Sequence, residues 1–278
     1  MTEQVKMIPI DDLHPFRDHP FYVKDDEAME FLRDSIREYG VLSPLLARPK
    51  GEGYELISGH RRRAAALKLG MTELPVLVRE MTDDEAIILM VDSNIQRENL
   101  LPSEKAFAYK MKFEALKHQG QRTSVQVAPK LSTEVIGESA GVSKDTIKRY
   151  IRLTHLVKPI LNLMDEGRIA LSPGVELSYL TQQEQAELWD IMRSEDKTPS
   201  FSQAVRMKKL SQAGELSPAV IMEIMEEEKP NQKQCIKIDE SRIRKFFPKN
   251  YSAEQIEDAI IKVVAHYHQQ KRKRDMER

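Results

Sequence analysis

Hydrophobic and polar positions recur with two different periods along this chain. Met29, Leu32, Ile36 and Tyr39 are spaced by three and four residues, which predicts an amphipathic helix over 25–39 with Gly40 at its left-handed C-cap. Residues 45–48 and 54–58 read as short strands about the Gly51-Glu52-Gly53 turn, and 75–78 as another strand. Between them, 60–69 reads as a helix stopped by Gly70. Thr82 and Glu85 form a capping box opening a helix through Val91, and Pro102-Ser103-Glu104 opens a longer one towards Leu116. These elements predict a compact α+β domain over 1–118.

From Leu131 to about Lys229 every strong signal is helical, punctuated by Gly141, Gly167, Pro173-Gly174, Pro199 and Gly214. The polar stretches 120–129 and 230–234 predict linkers. Residues 235–239 alternate like a strand, and 252–271 predict a last helix with Ile256, Ala259, Ile260, Val263 and Val264 on one stripe. The organisation expected is therefore an α+β domain (1–118), an all-α domain (119–230) and a small strand-helix segment (231–278). A single strand and helix bury too little to fold alone, so that segment is expected either to dimerise or to pack on its own helical domain.

Composition narrows the class. Of the 278 residues, 40% are apolar and 31% charged, which fits a helix-rich protein with much solvated surface. No stretch approaches the roughly 18 apolar residues of a membrane span, and the polar N-terminus lacks a secretion signal's apolar core. A cytoplasmic location without membrane contact is expected. Cys235 is the lone cysteine, which excludes an intrachain disulfide and a cysteine-based zinc site. His266 and His268 lie two apart, on different helix faces. The formal charge of −1 does not announce nucleic acid, but its distribution does. Lys144, Lys148, Arg149 and Arg152 face only Asp145 in one short helix, and Lys271, Arg272, Lys273, Arg274 and Arg278 dominate the tail.

The first of these basic segments carries a helix-turn-helix pattern. Gly137 and Ala140 supply the small residues that let two helices cross closely, and Gly141 supplies the turn's positive φ. Ile136, Val142, Ile147 and Tyr150 fall at core-facing positions, and Ser143 caps the second helix. Lys144, Thr146, Lys148, Arg149 and Arg152 are left polar and outward, as a groove-reading helix requires. The pattern predicts double-stranded DNA binding, with Ser143 counted among the contacts; the bland reading is a helical hairpin with a solvated basic face.

Ser58-Gly59-His60-Arg61-Arg62-Arg63 is physically odd, because it puts arginines where a helix exposes free N–H groups and the positive end of its dipole. Each costs about 0.3–1 kcal/mol unless an anion compensates. A polyphosphate site would explain the cluster, as would long side chains that bend back into water or pair with Glu38, Glu52 or Glu55. Asn94-Ile95-Gln96-Arg97, after the 83–91 helix, either reaches phosphate or magnesium-bound water or is a helix C-cap with a solvated arginine. No Ser-His-Asp or Cys-His arrangement supports nucleophilic catalysis.

The segment 10–116 resembles the N-terminal domain of the ParB partition-protein family. The resemblance rests on Pro15, Ser35-Ile36-Arg37-Glu38-Tyr39-Gly40 with Pro44, Ser58 to Ala65, and Ser93-Asn94-Ile95-Gln96-Arg97-Glu98-Asn99-Leu100, followed in order by the helix-turn-helix. It implies a ParB-like α+β domain, a helix-turn-helix that binds a centromere-like DNA site, and a C-terminal dimerisation segment. It further implies CTP and Mg2+ as cofactors, a homodimer that closes into a sliding clamp, a ParA-type ATPase partner and nucleoid association. Carried over by position, Ser58, Gly59, His60, Arg61 and Arg62 would cradle the triphosphate, Asn94 and Arg97 would hold phosphate, and Asn94 would also hold the metal. At most a slow CTPase switch is implied, and no metabolic activity.

Three residues depart from the family pattern. His60 stands where the family has glutamate, Ser93 replaces the glutamate before Asn94, and Glu176 stands where chromosomal members have arginine. The first two bear on hydrolysis more than on binding, and the third implies a DNA target other than the common chromosomal one. The alternative reading is a transcription or nucleoid-occlusion regulator without a partner ATPase. The domain also resembles sulfiredoxin, but Gly59 occupies the position of that family's reactive cysteine, which removes its chemistry.

Overall fold

The computed structural model describes residues 4–97, 99–122 and 129–227, and positions 243, 246–248, 251, 252, 255, 256 and 258–263. Residues Met1–Glu227 form one compact unit and Glu228–Arg278 a second.

The first unit opens on a five-stranded mixed sheet built from β1 (Gln4–Pro9), β2 (Leu13–Pro15), β3 (Leu45–Lys50), β4 (Gly53–Ser58) and β5 (Glu73–Val78), in the order β1-β5-β3-β4-β2. Pairs β1–β5 and β3–β4 are antiparallel, and β3–β5 and β2–β4 parallel. Adjacent residues of β4 show why both faces are covered. Leu56 enters a core with Leu45, Ala47 and Val76, while Ile57 enters one with Phe16, Phe21 and Met90. Helices α1 (Glu27–Tyr39) and α2 (His60–Lys68) pair through Met29, Ile36 and Ala65. Ala66 of α2 joins the Leu56 core, and α3 (Asp83–Ile95) covers the Ile57 face.

The expected elements are present, with Asp26 capping α1, Gly40 closing it and the Thr82–Glu85 box opening α3. β1 and β2 went unread in the sequence. The edge strand β1 exposes Val5 and Met7 and buries Ile8, so its alternation is partial. Arg48 and Glu55, both buried, bridge β3 and β4, and Arg48 also pairs with Asp83 at the start of α3. Burial alone would push the Glu55 carboxyl up, but hydrogen bonds from Lys50 and Arg48 hold it below its ordinary range. Glu55 is therefore not the partner that the α2 arginines were expected to find.

Helix α4 (Pro102–Arg122) runs past the expected boundary at residue 118. It packs against α3 and also against α5 (Pro129–Ala140), α6 (Lys144–Leu153) and α7 (Lys158–Asp165). Its continuation replaces the start of the expected 120–129 linker, and 123–128 lie outside the described residues. α8 (Leu171–Leu177), α9 (Gln182–Glu195), α10 (Phe201–Ala213) and α11 (Pro218–Glu226) complete a separate helical core around Leu153, Ile160, Leu177, Leu188, Met207 and Ile224. In the second unit, residues 258–263 are helical, with Ile261 and Val263 exposed. The expected strand at 235–239, the 230–234 linker and the basic tail lie outside the described residues.

Candidate functional site

β4 passes into α2 through Gly59, whose φ of 105° and contact with Leu45 exclude a side chain: a Cβ would lie 2.7 Å from Leu45 Cγ. The basic residues that follow diverge. Arg61 donates to Asp26 Oδ1 at 2.8 Å and lines a cavity of about 450 Å³ with Arg97, Lys24, Tyr22 and Glu104. Arg62 turns the other way, donating to the carbonyls of Ser43 (2.5 Å) and Pro44 (3.0 Å). Arg63 reaches the Ile10 carbonyl at 3.5 Å. Of the seven residues expected at a nucleotide, only Arg61 and Arg97 therefore line this cavity.

The electrostatics of the cavity favour an anion. Burial pulls the Arg97 guanidinium below its ordinary pKa, and the charge of Arg61 pulls it further. Arg97 carries both the desolvation and the repulsion of Arg61, and an anion beside it relieves both, while Asp26 already pairs Arg61. Glu104 offsets them only in part. It is 4% exposed, and its two oxygens accept from the backbone amides of Tyr22 (2.7 Å) and Leu101 (2.8 Å).

Asn94 is placed differently from its expected role. It lies inside the last turn of α3, 3% exposed, with Nδ2 donating to Met90 O at 2.7 Å and to Ser93 Oγ at 3.2 Å. It braces its helix here and does not face the cavity. Among the described residues no three of His, Cys, Asp and Glu cluster as metal ligands. His60 stacks on His19, with ring centroids 3.8 Å apart. His19, Tyr22, Lys24, Asp26 and Glu104 are additions that the sequence reading missed. One signal was there: His14-Pro15-Phe16 repeats as His19-Pro20-Phe21, and both phenylalanines are buried.

The helix-turn-helix is α5 and α6. Ile136 and Ile147 are buried against Tyr109 of α4. Gly141 has φ 67°, and Ser143 Oγ accepts from Thr146 N at 3.2 Å. Val142, expected in the core, is 38% exposed: it sits at the apex of the turn, where only its backbone is held, by a 2.9 Å bond from its N–H to Gly137 O. Lys148 is outward beside Asp145, and Lys144 pairs with Glu134 at 2.9 Å. Arg149 donates to Ser172 Oγ at 2.6 Å. Arg152 is not outward as expected. Its guanidinium donates to Ser178 Oγ (3.1 Å) and Ser178 O (2.9 Å) and lies 4.1 Å from the Tyr179 ring centroid. Glu176 receives Lys208 at 2.9 Å and is held within the helical core's rim.

A physical tie joins the two sites. Gln96, the C-cap of α3 and neighbour of Arg97, donates to Ser139 O in α5 at 2.9 Å. Lys112 of α4, 2% exposed, donates to Ser139 Oγ at 2.7 Å and also binds Asp92 of α3.

The family model described as the ParB N-terminal domain matches residues 1–95. The chain is 37% identical over 186 residues to the probable chromosome 1-partitioning protein ParB of Deinococcus radiodurans, covering 67% of this chain and 59% of that protein. It is 33% identical over 204 residues to the chromosome-partitioning protein Spo0J of Thermus thermophilus, covering 73% and 70%. A crystal structure of C-terminally truncated ParB from Caulobacter crescentus, complexed to the centromeric parS site, is similar at 22% identity and TM-score 0.41, covering 79% of this chain and 98% of that one.

Proposed function

This chain belongs to the ParB family, and from that premise we propose that it is a sequence-specific DNA-binding partition protein working as a CTP-gated clamp. The observation that carries the reading is the convergence of Arg61 and Arg97 on one cavity, with Gln96 tying that corner to the helix-turn-helix. Bound CTP would supply the negative partner that Arg97 lacks and a second one for Arg61 beside Asp26. This chain's residues do the rest: Arg61 and Arg97 bind, and Lys148, Arg149 and Thr146 meet DNA backbone and base edges. Mg2+ fits less well, since Asn94 faces its own helix and Glu104 is engaged by backbone amides; no step is assigned to the metal. His60 and Ser93 in place of glutamates leave at most a slow CTPase.

The exposed Ile261 and Val263 fit a homodimer formed through the C-terminal segment, with a basic tail adding salt-sensitive DNA contacts. A division near 230, a ParA-type ATPase partner and a nucleoid location belong to the same proposal, while α4 carries the first boundary past 118. Glu176, engaged by Lys208, supports a target unlike the common chromosomal site.

The test is binding of each labelled ribonucleoside triphosphate, with and without magnesium. CTP should bind preferentially, and Arg61→Ala should weaken it about 30-fold through loss of a charge-assisted hydrogen bond. If no triphosphate binds, the clamp is excluded; nucleotide-independent DNA residence would favour a plain regulator. Gln96→Ala should leave each affinity near normal while moving the ratio of CTP affinity with and without DNA towards one, by about fivefold. An unchanged ratio would sever the proposed tie.

A further inference from the structure

Outside the cavity lining, two stacked imidazoles of the first unit carry buried, unpartnered nitrogens. His19, in the connection before α1, stacks on His60, the first residue of α2, with ring planes 37° apart. Both Nε2 atoms are buried and have no hydrogen-bond partner. His19 Nδ1 lies 2.8 Å from Phe21 O, and a carbonyl only accepts, so in the neutral ring the proton sits on Nδ1 and Nε2 is a bare lone pair. Buried nitrogens are ordinarily satisfied, and two unsatisfied ones side by side are not packing material.

We propose that His19 and His60 are phosphate ligands of the nucleotide site, turning their Nε2 atoms to the triphosphate when it enters beside Arg97. This rests on the nucleotide reading above, adds His19 to it, and gives His60, which stands where the family has glutamate, a chemical role there. The surroundings explain why the pair is neutral without a ligand. Burial lowers the pKa of His60 to about 3, with His19, Arg63 and Arg97 adding to the effect. Burial also lowers that of His19, opposed by the Phe21 carbonyl and Glu104 and reinforced by Arg97. Arg61, held by Asp26, is the remaining nearby cation. A polyanion reverses this balance. It offers acceptors to Nε2–H groups and favours the imidazolium form, so the His19 lone pair takes a proton from solvent and donates it to a phosphate oxygen. A carboxylate at position 60 would accept hydrogen bonds or hold a metal ion but could not donate to a phosphate oxygen, which gives the substitution a physical meaning.

The experiment is calorimetric titration of the full chain with CTP at pH 6.5 and 8, in two buffers of different ionisation enthalpy. The native chain should take up close to one proton per nucleotide and bind about tenfold more tightly at pH 6.5. His19→Phe and His60→Phe keep a stacked ring but no nitrogen; each should bind about tenfold more weakly, His19→Phe with little proton uptake and a flattened pH dependence, His60→Phe with the uptake by His19 retained. Native affinity in both variants, with a native proton count in His19→Phe, would overturn the proposal and leave the nucleotide reading standing. No triphosphate binding by the native chain at either pH would overturn both. Should a variant fail to fold, the histidine Cε1–H resonances of the native chain decide: a titration moved up by CTP supports the pair, and none moved excludes it.

Discussion

Gly137→Val is expected to destabilise the chain by about 3 kcal/mol, at the upper end for overpacking, and to remove most of the DNA affinity with it. A Cβ at Gly137 would lie 2.6 Å from Val142 O and 3.4 Å from Lys144 N, so the obstruction is backbone, not a side chain that can swing aside. The same turn is held from the other direction by Val142 N–H on Gly137 O. Relief therefore requires α5 and α6 to separate, which opens the contact among Ile136, Ile147 and Tyr109. Gly141→Ala is the control. Nothing lies within 4 Å of its Cβ position, and only the φ of 67° resists, at a cost of about 1 kcal/mol. Urea unfolding followed by circular dichroism gives both values, and fluorescence anisotropy the DNA affinity. A loss under 1 kcal/mol at Gly137 would mean that the turn spreads at little cost.

What the sequence made legible is what is local. The helix-turn-helix could be read because Gly137, Gly141, Ser143, Ile136 and Ile147 all act within one short stretch. The α2 arginines could be flagged because any helix start disfavours them. Their destinations could not be read: Arg61 and Arg97 meet only because α2 and α3 converge on one corner of the sheet, and Arg62 is diverted by the carbonyls of Ser43 and Pro44. His19, Tyr22 and Lys24 lie in a connection with no periodicity, and Glu104 of α4 reaches Tyr22 across a separation of 82 residues. Val142 failed for the opposite reason. It is apolar at an apolar phase of the pattern, but the chain has already left the helix there.

Arg152 is the sharpest case, and Arg152→Ala should act through stability instead of through DNA charge. On an amphipathic helix every basic residue off the core face looks like a groove contact. Which of them meets the rest of the fold depends on Ser178, 26 residues away. Arg152 gives two hydrogen bonds to Ser178, whose own hydroxyl donates to Val175 O at 2.6 Å, and it shares the Tyr179 ring with Lys208. Bonds from a charged donor contribute about 1.5–3 kcal/mol each and a cation over an aromatic ring about 0.5–2 kcal/mol. Discounted for the partly exposed position, the loss should be about 3 kcal/mol. α8 would then shift against α6 and take Arg149 with it, since Arg149 is bonded to Ser172 at the start of α8. DNA affinity should fall for all sequences, while the slope of its logarithm against the logarithm of salt concentration stays the same, because no phosphate contact is removed. Lys148→Ala should do the reverse, keeping stability within about 0.5 kcal/mol and reducing the slope by about one. If instead Arg152→Ala lowers the slope by one at native stability, its guanidinium leaves Ser178 for a phosphate on binding, and the outward assignment drawn from the sequence was the right one for the bound state.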